Sequence, residues 1–332
     1  MKISVIGAGS WGSALAQLIA GNGHDVSLWA LEPEVASSIN SEHKNCLYLS
    51  DAILDSKILA TNSLKESVGG ADAVCFVTPS QFLRSTAEQV KDYIDVEVPI
   101  IICSKGTESS TGFAGNEILY DVLGNEERIA VLSGPTHAEE VIKCIPSAAT
   151  CASTNIKTAE FFQRIFSCDS FRVYTSTDII GVELSASFKN VIAIAVGISY
   201  GLGFGDNTAA LIITRGMAEM SRVVTACGGQ QVTCMGLAGA GDMVVTCMSR
   251  HSRNRRFGQD YIAVGKNLDD FKADTKMVVE GAVAAKNLRT LAKRFNVSIP
   301  ITDAVYNIIY NDALATDFRE TLFNRPLKVE FE

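Results

Sequence analysis

Two polar residues, Lys189 and Asn190, interrupt the otherwise apolar or small-residue helical stretch ELSASFKNVIAIAVGISYG. A lysine desolvated on such a helix has its charged form disfavoured, which suits it to carrying a proton. The competing reading is a lysine that snorkels its ammonium to the surface. Further along, GLAGAGDMVVTCMSRHSRNRRFG places Asp242 where a glycine run gives way to a helix start, and Ser252, Arg253 and Asn254 before another helical turn. An aspartate there could pair with a buried lysine and orient it. Arginine offers a planar fork of donors and a helix N-terminus adds N–H groups, so a phosphate monoester is the natural ligand. The arginine run at 250, 253, 255 and 256 has a plainer reading as a solvated face.

Two further segments follow apolar runs of strand character. In IIICSKGTES, Lys105 stands just past the run, and in SGPTHAEEV the pair Gly134-Pro135 forces a turn before Thr136, His137 and Ala138. The carboxyl ends of strands line the ligand crevice of a doubly wound sheet, so Lys105 is placed to meet a ligand unless it is simply a loop lysine. His137 could act as a proton carrier. A structural or edge histidine is the equal alternative.

The elements that must hold these groups begin with KISVIGAGSWGSALAQLIAGNGHDVSLWA, where Gly7, Gly9 and Gly12 form G-x-G-x-x-G between a strand and a helix. Gly7 permits the tight turn, Gly9 lets the backbone approach a pyrophosphate, and Gly12 lets helix and sheet pack closely. The helix N-terminus then presents free N–H groups to the phosphates of a dinucleotide. Where an acidic residue would mark NAD and an arginine NADP, the second strand ends in Ala30 and Leu31, followed by Glu32. Glu32 could reach the ribose hydroxyls or merely open the next helix. The nucleotide preference stays open.

Short β-branched runs at 2–6, 26–29, 57–60, 73–77, 99–103 and 129–132 alternate with helical patterns such as 11–20, which indicates βαβ units and a parallel sheet. Beyond about residue 178 the pattern turns helical, at 183–196, 208–227 and 278–295, without strand signals. The expectation is an α/β Rossmann-type doubly wound domain over 1–178, followed by an all-α substrate domain over 179–332. A chain of 332 residues is long for one core.

Composition narrows the function classes. A net charge of −8 argues against a general nucleic-acid surface. The most apolar stretch, 191–202, reads as too short for an integral membrane segment, and the N-terminus is no signal peptide. Nine cysteines without Cys-x-x-Cys read as buried free thiols in a reducing cytoplasm. No metal-ligand spacing is evident.

Taken in order, GAGSWG, CSKG, SGPTHAEEV, ELSASFKNVIAIAVGI, TRGMAEM, GLAGAGDMVVTC, SRNRRFG and VVEGAVAAKNL resemble the bacterial NAD(P)-dependent glycerol-3-phosphate dehydrogenase family over essentially the whole chain. The resemblance implies that Ser10 and Trp11 contact NAD or NADP, that Lys105 touches both cofactor and substrate, and that Gly134 and Thr136 contact substrate. It implies cofactor contacts for Ala138, Val278 and Glu280, with Arg253 facing both ligands. Lys189 becomes the catalytic proton donor and acceptor, which takes His137 out of that role, while Asn190, Asp242, Ser252, Arg253 and Asn254 hold the substrate. Many members carry His or Arg where this chain has Leu31, a departure that weakens NADP preference.

The activity so implied is reversible reduction of dihydroxyacetone phosphate to sn-glycerol 3-phosphate, feeding phospholipid synthesis in the cytoplasm, by what is expected to be a homodimer. Two alternatives share the fold: another two-domain dehydrogenase with a helical lysine, of the 6-phosphogluconate or 3-hydroxyacid type, and a nucleotide-binding regulator without turnover.

Overall fold

A computed structural model describes residues 1–249, 252–275, 279–324, 326–327 and 329–330, with the side chains of 321–323 left aside. The chain divides into two compact units, Met1–Glu183 with Gly236–Ala238 and Leu184–Met235 with Gly239–Glu332.

The first unit is built on one sheet of eight strands: β1 (Lys2–Ile6), β2 (Asp25–Trp29), β3 (Ile58–Thr61), β4 (Ala73–Phe76), β5 (Ile100–Ile102), β6 (Ile129–Ser133), β7 (Ser147–Ala152) and β8 (Phe171–Ser176). Their spatial order is β3-β2-β1-β4-β5-β6-β7-β8. The connecting helices are α1 (Ser10–Gly21), α2 (Pro33–Glu42), α3 (Leu64–Val68), α4 (Ser80–Val90), α5 (Gly115–Leu123), α6 (Ala138–Val141) and α7 (Ile156–Phe166).

Successive strand residues point to opposite faces, and both faces are covered, which is why the strands read as unbroken apolar runs. Ile3 and Val5 of β1, Cys75 of β4 and Ile101 of β5 join one core with Leu15, Ile19 and Phe162. Ile6, Phe76, Ile100 and Ile102 join the other with Leu83 and Leu119.

Strands β1 to β6 are parallel, as the alternation of elements predicts, but β7 runs antiparallel to β6 and β8 parallel to β7. Both of these last strands lie beyond the runs read from sequence. β7, SAATCA, is built of small residues with Thr150 its one β-branched member. β8, FRVYTS, alternates buried Phe171 and Val173 with exposed Arg172 and Tyr174.

All strands found among the described residues belong to the first unit. The second unit is helical: α8 (Ile179–Gly201), whose first residues belong to the first unit, then α9 (Asp206–Ala226), α10 (Asp242–Met248), α11 (Arg253–Asp260), α12 (Leu268–Thr275), α13 (Glu280–Arg294), α14 (Pro300–Tyr310) and α15 (Phe318–Phe323). α8 is longer than its sequence pattern suggests. By length and composition alone it could cross a membrane, yet 89% of its most apolar window is buried inside the protein, and a helix apolar on all sides is a core helix.

Glycines let neighbouring helices press against α8. A Cβ on Gly281 would lie 2.5 Å from the Asn190 carbonyl oxygen, and one on Gly258 would meet that of Ile194. All nine cysteines are free; Cys46, Cys144 and Cys168 are exposed rather than buried as composition suggests.

Glu219 on α9 accepts the backbone N–H groups of Ile301 (2.5 Å) and Thr302 (3.2 Å) and the Thr302 hydroxyl (3.2 Å), so it holds the first turn of α14. Burial raises its carboxyl to about 7, with those donors opposing the shift. An acid whose folded value is raised contributes stability below the ordinary carboxylate range and loses it as pH climbs through the folded value. Thermal unfolding followed from pH 5 to pH 8 should therefore show a falling Tm, with a shallower fall in Glu219→Gln. An unchanged slope in that variant would remove Glu219 as the source.

Candidate active site

The register places the carboxyl ends of β1, β2 and β4 level, with Ile6 opposite both Trp29 and Phe76, so the turns that follow share one edge of the sheet. Gly7 has φ of +123° and its N–H donates to the Trp29 carbonyl at 3.1 Å. A Cβ at Gly7 would lie 3.0 Å from the Val77 carbonyl carbon, and one at Gly12 would overlap the Gly7 carbonyl oxygen. Gly9, by contrast, faces open space.

α1 starts at Ser10 with no side-chain cap and no acidic residue in its first turn, which leaves its first N–H groups for an anion. Beside Gly7, the buried Thr78 hydroxyl has no hydrogen-bond partner among the described residues. An open glycine, a bare helix N-terminus and an unsatisfied hydroxyl together fit a dinucleotide pyrophosphate. Gly12→Ala should cost roughly 1–3 kcal/mol of stability by overpacking and weaken nucleotide binding. Calorimetry and a nucleotide titration check it, and wild-type values in both would remove Gly12 from the packing argument.

Ser10 donates to the Tyr48 carbonyl at 2.8 Å, and Trp11 Nε1 donates to the Cys103 carbonyl at 3.1 Å. The second bond joins the glycine turn to the segment that carries half-buried Lys105. Gly134 follows β6 and is pressed against β7, where a Cβ would come within 2.7 Å of Ala149 Cα. The Thr136 hydroxyl bonds the Gly134 carbonyl at 3.3 Å. His137 caps the short helix α6, which Ala138 opens. It stands at that N-cap position without a side-chain capping bond.

In the second unit, Lys189 Nζ donates to Asp242 Oδ1 at 2.5 Å, with the two side chains 10% and 2% exposed. This is an internal pair, so the snorkelling alternative fails. Asp242 heads α10, as the glycine-to-helix transition suggests. One turn on, buried Thr246 donates to the same oxygen at 3.3 Å, a contact sequence reading did not anticipate, although the i+4 spacing was visible.

Next to Lys189, Asn190 donates to Glu280 Oε2 at 3.1 Å and accepts from Asn254 Nδ2 at 2.9 Å, while Asn254 Oδ1 accepts the Gly281 N–H at 2.9 Å. Adjacent residues of α8 thus head two polar sets, Lys189 with Asp242 and Thr246 of α10, and Asn190 with Asn254 of α11 and Glu280 of α13.

Ser252 is buried and caps α11 by accepting the Arg255 N–H at 3.3 Å. Of the arginine run, Arg255 donates to the Met248 carbonyl and covers the Tyr200 ring, and Arg256 faces Asp260. Arg253 is exposed and takes no partner among the described residues. Arg250 and Val278 lie outside the described residues.

A model of the NAD-dependent glycerol-3-phosphate dehydrogenase N-terminus matches residues 2–159, and one of the C-terminus of the same family matches 178–320. The chain belongs to the NAD-dependent glycerol-3-phosphate dehydrogenase family. This is an oxidoreductase family. A protein of Enterococcus faecalis named glycerol-3-phosphate dehydrogenase (NAD(P)+) is 43% identical over 333 residues, covering 100% of this chain and 98% of its own. Its namesake from Chlorobium limicola is 46% identical over 93% of each chain. The crystal structure of glycerol-3-phosphate dehydrogenase from Coxiella burnetii superposes with a TM-score of 0.93 at 35% identity, covering 98% of this chain and 99% of its own. Full-length similarity of this order sets aside the 6-phosphogluconate and 3-hydroxyacid alternatives.

Proposed function

We propose that this protein reversibly reduces dihydroxyacetone phosphate to sn-glycerol 3-phosphate with NADH or NADPH, and that the product serves glycerophospholipid synthesis. The observation that carries the reading is the buried Lys189–Asp242 pair at 2.5 Å, in a chain whose full-length relatives bear this enzyme's name.

When bound, the nicotinamide supplies a hydride to the carbonyl carbon. The protein's share is to hold the ketone and move one proton. Lys189 Nζ gives its proton to the developing alkoxide in reduction and takes it from the hydroxyl in oxidation. Its positive charge stabilises the oxyanion meanwhile. Asp242, itself held by Thr246, keeps Nζ in place, and Asn190 is fixed by Glu280 and Asn254.

Arg253 grips the phosphate, with Asn254 and the Ser252-capped turn beside it. From segment 1–178, Lys105, Gly134 and Thr136 add substrate contacts. Gly7, Gly9, Ser10, Trp11, Gly12, Lys105 and Ala138 hold the dinucleotide, joined from 179–332 by Arg253, Val278 and Glu280. The enzyme works as a cytoplasmic homodimer. Steady-state turnover of dihydroxyacetone phosphate against unphosphorylated dihydroxyacetone tests the reading. A large preference for the phosphate ester supports it, and equal use of both would contradict it.

A further inference from the structure

We propose that Glu32, held by Tyr48, reads the adenosine ribose and makes this enzyme select NADH over NADPH, an inference that rests on the dehydrogenase reading above. The ribose of a dinucleotide on this fold lies beyond the end of the second strand. Here β2 leaves the sheet level with the glycine turn, since the Gly7 N–H bonds the Trp29 carbonyl, and Glu32 follows three residues later as the N-cap of α2.

Glu32 is not left to solvent like an ordinary first-turn acid. The Tyr48 hydroxyl donates to its Oε1 at 2.7 Å, and Tyr48 is itself anchored to the turn, because its carbonyl accepts from Ser10 at 2.8 Å. Fully buried Asn45 secures the same loop. Its Nδ2 donates to the Ala8 carbonyl at 2.7 Å and to the Ser13 hydroxyl at 2.8 Å, and its Oδ1 accepts the Tyr48 N–H at 3.0 Å. One carboxylate oxygen is therefore fixed by protein, and Oε2, which no described residue bonds, keeps its lone pairs for a ribose hydroxyl.

The charge around this point is negative. The hydrogen bond to Glu32, burial, and the charges of Glu32 and Glu34 raise the Tyr48 phenol to about 12. Leu31, 66% exposed, contributes no cation, and its carbonyl is tied by Asn62 Nδ2 at 3.1 Å. A ribose carrying a 2′-hydroxyl can donate to a carboxylate. A 2′-phosphate brings two negative charges to the same carboxylate, and the β2–α2 turn, Ala30-Leu31-Glu32, holds no arginine fork to receive it.

The test is equilibrium titration of NADH and NADPH by nicotinamide fluorescence, without ketone, in the wild type, Glu32→Ala, Tyr48→Phe and the double variant Leu31→Arg/Glu32→Ser, each checked for fold by circular dichroism. The wild type should bind NADH about thirtyfold or more tighter than NADPH. Glu32→Ala should weaken NADH about tenfold and collapse the ratio to a few-fold, Tyr48→Phe should weaken NADH several-fold, and the double variant should reverse the preference. A wild-type ratio near one, or an unchanged ratio in Glu32→Ala, would overturn the inference while leaving the dehydrogenase reading intact. Failure to bind either nucleotide, or binding without turnover of dihydroxyacetone phosphate, would overturn the dehydrogenase reading itself.

Discussion

Lys189→Ala is expected to lower kcat by about a thousandfold or more while nucleotide affinity stays near that of the wild type. General acid catalysis alone contributes about 10²–10⁴ in rate, and the same ammonium stabilises the alkoxide. The change has a second consequence, because Asp242 is then left buried without its partner. Breaking an internal ion pair from one side typically costs about 3–5 kcal/mol, so part of the loss could come from a weakened fold. Lys189→Met/Asp242→Asn separates the two effects. Removing both charges should recover most of the stability, measured by denaturant unfolding, without recovering turnover. Recovery of turnover in the double variant would show that Lys189 serves the fold and not the chemistry.

The second large effect concerns the phosphate. Arg253→Ala should raise KM for dihydroxyacetone phosphate by about 10- to 100-fold, the range expected for lost charge-assisted hydrogen bonds. Because Arg253 is exposed and takes no partner among the described residues, the variant should unfold within about 0.5 kcal/mol of the wild type. Arg253→Lys keeps the charge but loses the fork, so it should recover only part of the affinity. Steady-state kinetics across the three proteins checks this, and an unchanged KM in Arg253→Ala would remove Arg253 from phosphate binding.

Much of this arrangement is legible in the sequence because it rests on local physics. The glycine turn is written in three residues: Gly7 needs its positive φ, Gly12 its close approach to the Gly7 carbonyl, and Gly9 leaves open space for a ligand. Lys189 and Asn190 stand out because a polar pair inside an apolar helix needs partners. Asp242 stands out because a helix start after glycines favours an acid.

What the sequence conceals is long-range. β7 is built of small residues and runs against β6, so neither its period nor its direction follows from local propensity. Thr246 gains meaning only once Asp242 is known to be buried. The Tyr48–Glu32 bond spans sixteen residues, across α2 and the loop that follows it. Ser252, which reads as a ligand group, also caps α11, and Arg255 within the charge run is occupied by the Met248 carbonyl. In such a run, partners decide which residue is available, and partners are a property of the fold.

The central claim is transfer of hydride to the ketone of a phosphorylated triose. It is tested most directly by incubating the protein with dihydroxyacetone phosphate and a reduced nicotinamide cofactor deuterated at its transferable hydrogen, then locating the label by nuclear magnetic resonance. The expected result is sn-glycerol 3-phosphate carrying deuterium on its central carbon, in step with the cofactor oxidised. Cofactor oxidation without label at that carbon, or no product at all, would contradict it.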